Sequence, residues 1–238
     1  MRARITFDPE LVLFDLDGTL VDSARDLAAA ADQMMTELGE APPGESAVRR
    51  FVGNGIDRLV HRCLTGELHR DASPARFADA RERFMAAYTV HNGRHSRLYP
   101  GVAEGLDAAE RHGARLGCVT NKSRRFTEPL LEGLGLAGRF QVLVCGDSTA
   151  RRKPDPEPLR HALQAQGVSA DRALLVGDSD NDVRAARGAG MAVVCVSYGY
   201  NHGRDIADSA PDLVIDGLAE LDGLLHRRPG ERAGIDSR

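Results

Sequence analysis

The chain lacks a leading apolar stretch of the length that a secretory signal or a membrane span requires. Arg2 and Arg4 stand instead before a short run that reads as a strand, so the expectation is a cytoplasmic protein with no membrane partner. A cationic excess is missing too: 31 Lys and Arg face 35 Asp and Glu, a formal net charge of −4. Binding a nucleic-acid backbone needs clustered positive charge, which argues against nucleic acid as a partner. The four cysteines, Cys63, Cys118, Cys145 and Cys195, have no Cys-x-x-Cys spacing, and three lie inside apolar runs. They read as reduced, buried thiols, and neither zinc nor a disulfide framework is indicated.

What is present is the composition of an ordinary globular protein, 42% hydrophobic and 28% charged over 238 residues. That is ample chain for a sizeable core. Six short apolar, β-branched runs recur: 11–14, 116–120, 142–145, 173–176, 192–197 and 213–215. Their apolarity is continuous, not alternating, which means burial on both faces and predicts a parallel sheet covered by helices. The stretches 102–112, 126–134, 156–166 and 181–190 read as the crossover helices. The fold class is therefore α/β, a Rossmann-like parallel sheet with helices on both faces. In such sheets ligands bind outside the carboxyl ends of the strands.

The interval from Asp22 to Asn92 carries no strand signal. Residues 23–39 are helical, with Ser23 or Asp22 as the N-cap and Gly39 as the stop. Residues 45–51, 56–63 and 74–90 also read as helices. A small helical cap domain, 22–92, is thus expected to interrupt an α/β core made of 1–21 and 93–238, with crossings near 21–22 and 92–98 as hinges. Residues 227–238 read as a frayed tail.

Four segments bear chemistry. Phe14-Asp15-Leu16-Asp17-Gly18-Thr19 closes the first strand, Thr120-Asn121-Lys122 the second, and Gly177-Asp178-Ser179-Asp180-Asn181-Asp182 a later one, while Lys153-Pro154-Asp155-Pro156 precedes a helix. A phosphoryl group under attack needs a nucleophile, compensation of charge on its oxygens and a proton for the leaving oxygen. Asp15 is the candidate carboxylate nucleophile and Asp17 the proton shuttle. Thr120 and Asn121 are candidate donors, and Lys153 supplies positive charge. Mg²⁺ takes oxygen ligands, and the carboxylates of Asp15 and Asp178 with the Asp17 carbonyl suit it.

This set, in this order, resembles the haloacid dehalogenase superfamily, specifically its phosphatases with a helical cap inserted after the first motif. The resemblance runs from Leu11 to about Leu225. Three further segments look like the bacterial phosphoglycolate phosphatase family: Val52-Gly53-Asn54-Gly55, Tyr99-Pro100-Gly101-Val102 and Tyr198-Gly199-Tyr200-Asn201. The resemblance implies that Asp15 forms an aspartyl-phosphate and that Asp17 protonates the departing glycolate, then activates water. It also implies that Asp15, Asp17 and Asp178 hold Mg²⁺, with Asp182 orienting metal waters or Lys153 from behind. The Gly53-Asn54-Gly55 turn is expected to reach down from the cap and offer backbone donors to a small phosphorylated carboxylic acid. The alternatives are a phosphosugar or amino-sugar-phosphate phosphatase, a phosphomutase, or a non-catalytic phospho-ligand-binding module, as monomer or homodimer.

Several look-alikes drop out. Asp178-x-Asp180-x-Asp182 opens like a calcium loop, but Val183 stands where that loop needs glycine. Gly133-Leu-Gly135-Leu-Ala-Gly138 matches a dinucleotide fingerprint in letters, yet it follows a helix and precedes a strand. Asp147, in a second Gly-Asp-Ser, is read as a loop residue bordering the site.

Overall fold

The computed structural model describes residues 6–226, so the expected tail at 227–238 and the two leading arginines lie outside the described residues. Six parallel strands form the sheet: β1 (Leu11–Phe14), β4 (Arg115–Val119), β5 (Val142–Val144), β6 (Ala173–Gly177), β7 (Ala192–Val196) and β8 (Leu213–Ile215). Their spatial order is β5-β4-β1-β6-β7-β8. Every residue of β1 is buried, because it lies at the centre with neighbours on both sides and helices on both faces.

Helices α5 (Val102–Arg111), α6 (Arg124–Gly133), α7 (Glu157–Gln166) and α8 (Asp180–Ala189) make the crossovers. The alternate residues of β1 feed separate cores. Val12 and Phe14 join one with Leu106 of α5 and Leu130 of α6. Leu11 and Leu13 join the other with Leu159 of α7 and Ala185 of α8. The order reverses around β1, since the chain leaves it for β4 on one side and later returns to β6 on the other. That switch point opens a crevice at the carboxyl ends of β1, β4 and β6.

Between β1 and β4 stands a four-helix block with its own apolar cluster: α1 (Ala24–Glu37), α2 (Gly44–Phe51), α3 (Ile56–Thr65) and α4 (Pro74–His91). Phe126 of α6 and Tyr200 after β7 insert into that cluster from the sheet side. The two crossings pair with each other as two-residue antiparallel strands, β2 (Val21–Asp22) and β3 (Arg97–Leu98), which hydropathy alone did not reveal. Gly39 does end α1 in a left-handed turn, with Glu40 N–H donating to the Met35 carbonyl at 2.9 Å. The start of α1 differs from expectation. Ser23 occupies the N-cap position without capping through its side chain. Instead the Tyr200 hydroxyl accepts from the N–H groups of Ser23 and Ala24, both at 3.1 Å. No helix among the described residues is long and apolar enough to cross a membrane.

Candidate active site

The Asp15 N–H donates to the Val176 carbonyl at 2.9 Å, extending the β1–β6 ladder one residue past the strand. That bond fixes the Asp15 carboxylate at the crevice, where Oδ1 lies 2.9 Å from Lys153 Nζ and accepts the Leu16 N–H at 2.7 Å. The chain then doubles back: Val21 N–H reaches the Leu16 carbonyl and Gly18 N–H the Val21 carbonyl, each at 2.9 Å. The turn requires φ of +94° at Gly18, a left-handed value that glycine adopts freely. Asp17 is carried round to a different partner set, accepting from the Ser23 hydroxyl and from Lys122 Nζ at 3.1 Å.

Asp178 follows β6. Its Oδ1 accepts from the Thr19 hydroxyl at 3.0 Å and its Oδ2 from the Tyr200 N–H at 2.5 Å. A Cβ on Gly18 would lie 2.2 Å from Asp178 Oδ2, and one on Gly199 2.2 Å from Asp178 Cβ. Gly18 therefore serves close approach as well as turning, and Gly199 serves close approach. Asp182, on the first turn of α8, accepts from Ser179 N–H at 3.1 Å, Ser179 Oγ at 2.6 Å and Asp178 N–H at 3.3 Å through one oxygen. Its other oxygen sits 2.6 Å from Lys153 Nζ.

Oxygens of Asp15, Asp178 and Asp182 fall within 4.8 Å of one another. Burial drives the Asp15 pKa up to about 7 against the pull of Lys153, and burial, with Asp182 and Asp15 adding, drives Asp178 well above the usual carboxylate range. Three buried acids, only two of them paired with a lysine, make an all-oxygen donor set that a hard divalent cation would relieve, so the residues present fit Mg²⁺. Within that set Asp182 carries the most bonds, three donors on one oxygen and Lys153 on the other against one donor on each oxygen of Asp178, which suits orienting more than ligation. The Asp17 carboxylate takes no part in the cluster, so only its carbonyl is left for a role at the metal.

A pocket of about 40 Å³ opens over Asp15 and Asp17. Thr120, Asn121 and Lys122 line it from the sheet, and Leu27, Gly53, Gly55, Ile56 and Tyr88 from the helical block. Thr120 Oγ1 accepts the Lys122 N–H at 3.2 Å, and its own proton has no acceptor among the described residues. Three sequence expectations need correction. The Asn121 amide is not a pocket donor: it is spent on the Gly53 and Lys153 carbonyls, at 2.8 and 2.9 Å. Asn54 does not line the pocket with Gly53 and Gly55; it bonds Asn181 at 2.9 Å and Arg62 at 2.8 Å on the outer side of the turn. Asp147 borders α6, not the pocket, and accepts the Arg124 N–H at 2.9 Å.

Sequence reasoning missed Lys122 as a site residue. Its side chain is buried, and although burial works against the ammonium, Asp17 and Tyr88 beside it hold its pKa above the ordinary value. The one local signal was its place directly after Thr120-Asn121 at a strand end.

This geometry has relatives. Residues 12–196 match the family model of the haloacid dehalogenase-like hydrolases. The chain belongs to that family. A phosphoglycolate phosphatase of Nitrosococcus oceani is 47% identical over 217 residues, covering 91% of this chain and 96% of the relative. One from Thiobacillus denitrificans is also 47% identical, covering 88% and 92%. Among solved structures, one described as a predicted phosphoglycolate phosphatase from Haemophilus somnus 129pt superposes with a TM-score of 0.83 at 35% identity, covering 90% of this chain and 96% of that one. The chain thus sorts with the phosphatases of its family.

Proposed function

We propose that the protein hydrolyses 2-phosphoglycolate to glycolate and phosphate with Mg²⁺, through an aspartyl-phosphate on Asp15. One observation carries the reading: two carboxylates two residues apart each face a different buried ammonium, Asp15 against Lys153 and Asp17 against Lys122. The pair is thereby split into two roles. Asp15, in the acidic cluster, attacks phosphorus; the Asp15 Oδ–P bond forms as the ester P–O bond breaks. Asp17, outside the cluster, gives its proton to the glycolate oxygen, then takes one from the water that attacks the aspartyl-phosphate and frees phosphate. Lys153 offsets charge on the phosphoryl oxygens, and the Thr120 hydroxyl donates to one of them. Mg²⁺, when bound, keeps Asp15 and Asp178 ionised beside an anionic substrate. Asp15, Asp178 and the Asp17 carbonyl would hold it, with Asp182 fixing Lys153.

Residues 22–92 act in this reading as a cap over a core formed by 1–21 and 93–238. The names of the relatives favour 2-phosphoglycolate over a sugar phosphate. Purified protein should release phosphate from 2-phosphoglycolate only with Mg²⁺, more efficiently than from a panel of sugar phosphates. Asp15→Asn should lower kcat by at least about 10⁴-fold, the scale on which loss of a covalent nucleophile acts. Parental activity in that variant would refute the covalent route.

A further inference from the structure

Resting on the phosphatase reading, the geometry points to Lys122 Nζ and Tyr88 Oη as the subsite that binds the carboxylate of the substrate. Both residues line the pocket, one from the sheet and one from α4. The lysine ammonium carries three hydrogens. One side of it is taken by Asp17, whose two oxygens lie 3.1 and 3.3 Å away, and another by the Tyr88 hydroxyl, which accepts from it. The third hydrogen has no protein acceptor among the described residues. The Tyr88 hydroxyl, fully buried and already accepting from Lys122, likewise has no protein acceptor for its own hydrogen. Two unspent donors side by side in a pocket match the two oxygens of a carboxylate.

Charge points the same way. Lys122 is the only cation among the residues lining this pocket. Lys153 is held between Asp15 and Asp182. Arg49 is engaged by Asp22 and Glu45, and Arg62 by the carbonyls of Leu68 and Phe51 and by Asn54. A carboxylate entering here has one ammonium to meet. The spacing also fits. Lys122 is hydrogen-bonded to Asp17, the acid that must touch the ester oxygen, and in 2-phosphoglycolate the carboxylate carbon is two covalent bonds from that oxygen. The subsite therefore selects small phosphomonoesters with a carboxylate next to the ester carbon. Because Tyr88 comes from the helical block, the selection is assembled only when block and sheet are together.

The test compares 2-phosphoglycolate with 2-hydroxyethyl phosphate, which replaces the carboxylate by a neutral hydroxymethyl group of similar size. Lys122→Met also strips Asp17 of its ammonium, so both rates fall and the readout is the ratio of the two kcat/KM values. The parent should prefer 2-phosphoglycolate by about 100-fold or more, the scale reached when a site built to pair a polar group meets an analogue lacking it. Lys122→Met should bring the ratio near unity, and Tyr88→Phe should lower it about tenfold, mainly through KM for 2-phosphoglycolate. Tyr88→Phe keeps the test decisive if Lys122→Met does not fold. An unchanged ratio in the variants, with both substrates slowed equally, would leave Lys122 as a support for Asp17 alone and overturn the subsite. So would a parent enzyme that treats the two substrates alike. A parent that turns over neither fails earlier, at the phosphatase reading itself.

Discussion

Asp26 offers the sharpest stability test, because its carboxylate ties the start of the helical block to its exit. It lies in the first turn of α1, wholly buried, and collects four hydrogen bonds from residues 93–96. The donors are the N–H groups of Gly93 at 2.9 Å, His95 at 2.8 Å and Ser96 at 3.0 Å, with the Ser96 hydroxyl at 2.5 Å. Asp26→Ala leaves all four unmet, but not at equal cost. Gly93 and His95 are exposed and can turn to water; Ser96 is fully buried and cannot. Two buried donors losing charge-assisted bonds at roughly 1.5–3 kcal/mol each give a loss of about 3–6 kcal/mol. For a chain of this length each kcal/mol lowers Tm by about 2–4 °C, so the melt should drop by about 10 °C. Asp26→Asn, which sets an NH₂ against some of the same donors, should lose a comparable amount. Calorimetric unfolding reads both variants against the parent. A shift under about 3 °C for Asp26→Ala would mean that water replaces the carboxylate at Ser96, and the reasoning fails.

The acidic cluster predicts a pH-dependent response to Mg²⁺. Asp15, raised by burial to about 7 from an ordinary 3.8, holds its proton in the folded state where the unfolded chain has released it. Folded protein then binds more protons than unfolded, so metal-free stability falls as pH rises from about 4 to about 7, and Asp178, raised for the same cause, adds to the slope. Thermal melts at several pH values with and without Mg²⁺ should show a stabilisation by the ion that widens toward neutral pH; a constant gap would contradict the assignment. At Gly199, alanine would put a Cβ 2.2 Å from Asp178 Cβ, with Gly199 just before the N–H that Asp178 accepts. Gly199→Ala should weaken Mg²⁺ activation at least tenfold, read as the concentration for half-maximal activity, and an unchanged value would show that Asp178 moves freely.

The parts of this site that were legible in the sequence are local. An apolar run ending in Asp15-Leu16-Asp17-Gly18, or in Gly177-Asp178, states both a buried strand and an acid at its end, and a central β1 follows from continuous apolarity. Strand and helix cores were legible for the same reason. The residues that escaped are those whose environment is made by distant chain. Lys122 stands in a chemistry-bearing segment, but nothing local gives it a role until α4, 34 positions earlier, lays Tyr88 over it. Asp26 sits in an alanine-rich helix where an acid normally faces water, and only the exit segment, 67–70 positions away, turns it inward. Asn121 was misjudged in the opposite sense: its amide looked available because the Gly53 carbonyl that claims it comes from the helical block.

Tyr200 shows why these distant contacts bear on function as well as on packing. Its N–H holds Asp178 in the acidic cluster, its ring lies in the apolar cluster of the helical block, and its hydroxyl accepts from the first N–H groups of α1 while donating to Asp22. One residue thus fixes an acid of the cluster and the root of the first helix. Any swing of the helical block that kept the cluster intact would have to pivot beyond Ala24, or else break the hydroxyl contacts. The first turn of α1 therefore belongs mechanically to the sheet. Tyr88 and Gly55, which line the pocket from far along the block, can shift with its position, while the arrangement around Asp15 and Asp178 stays fixed.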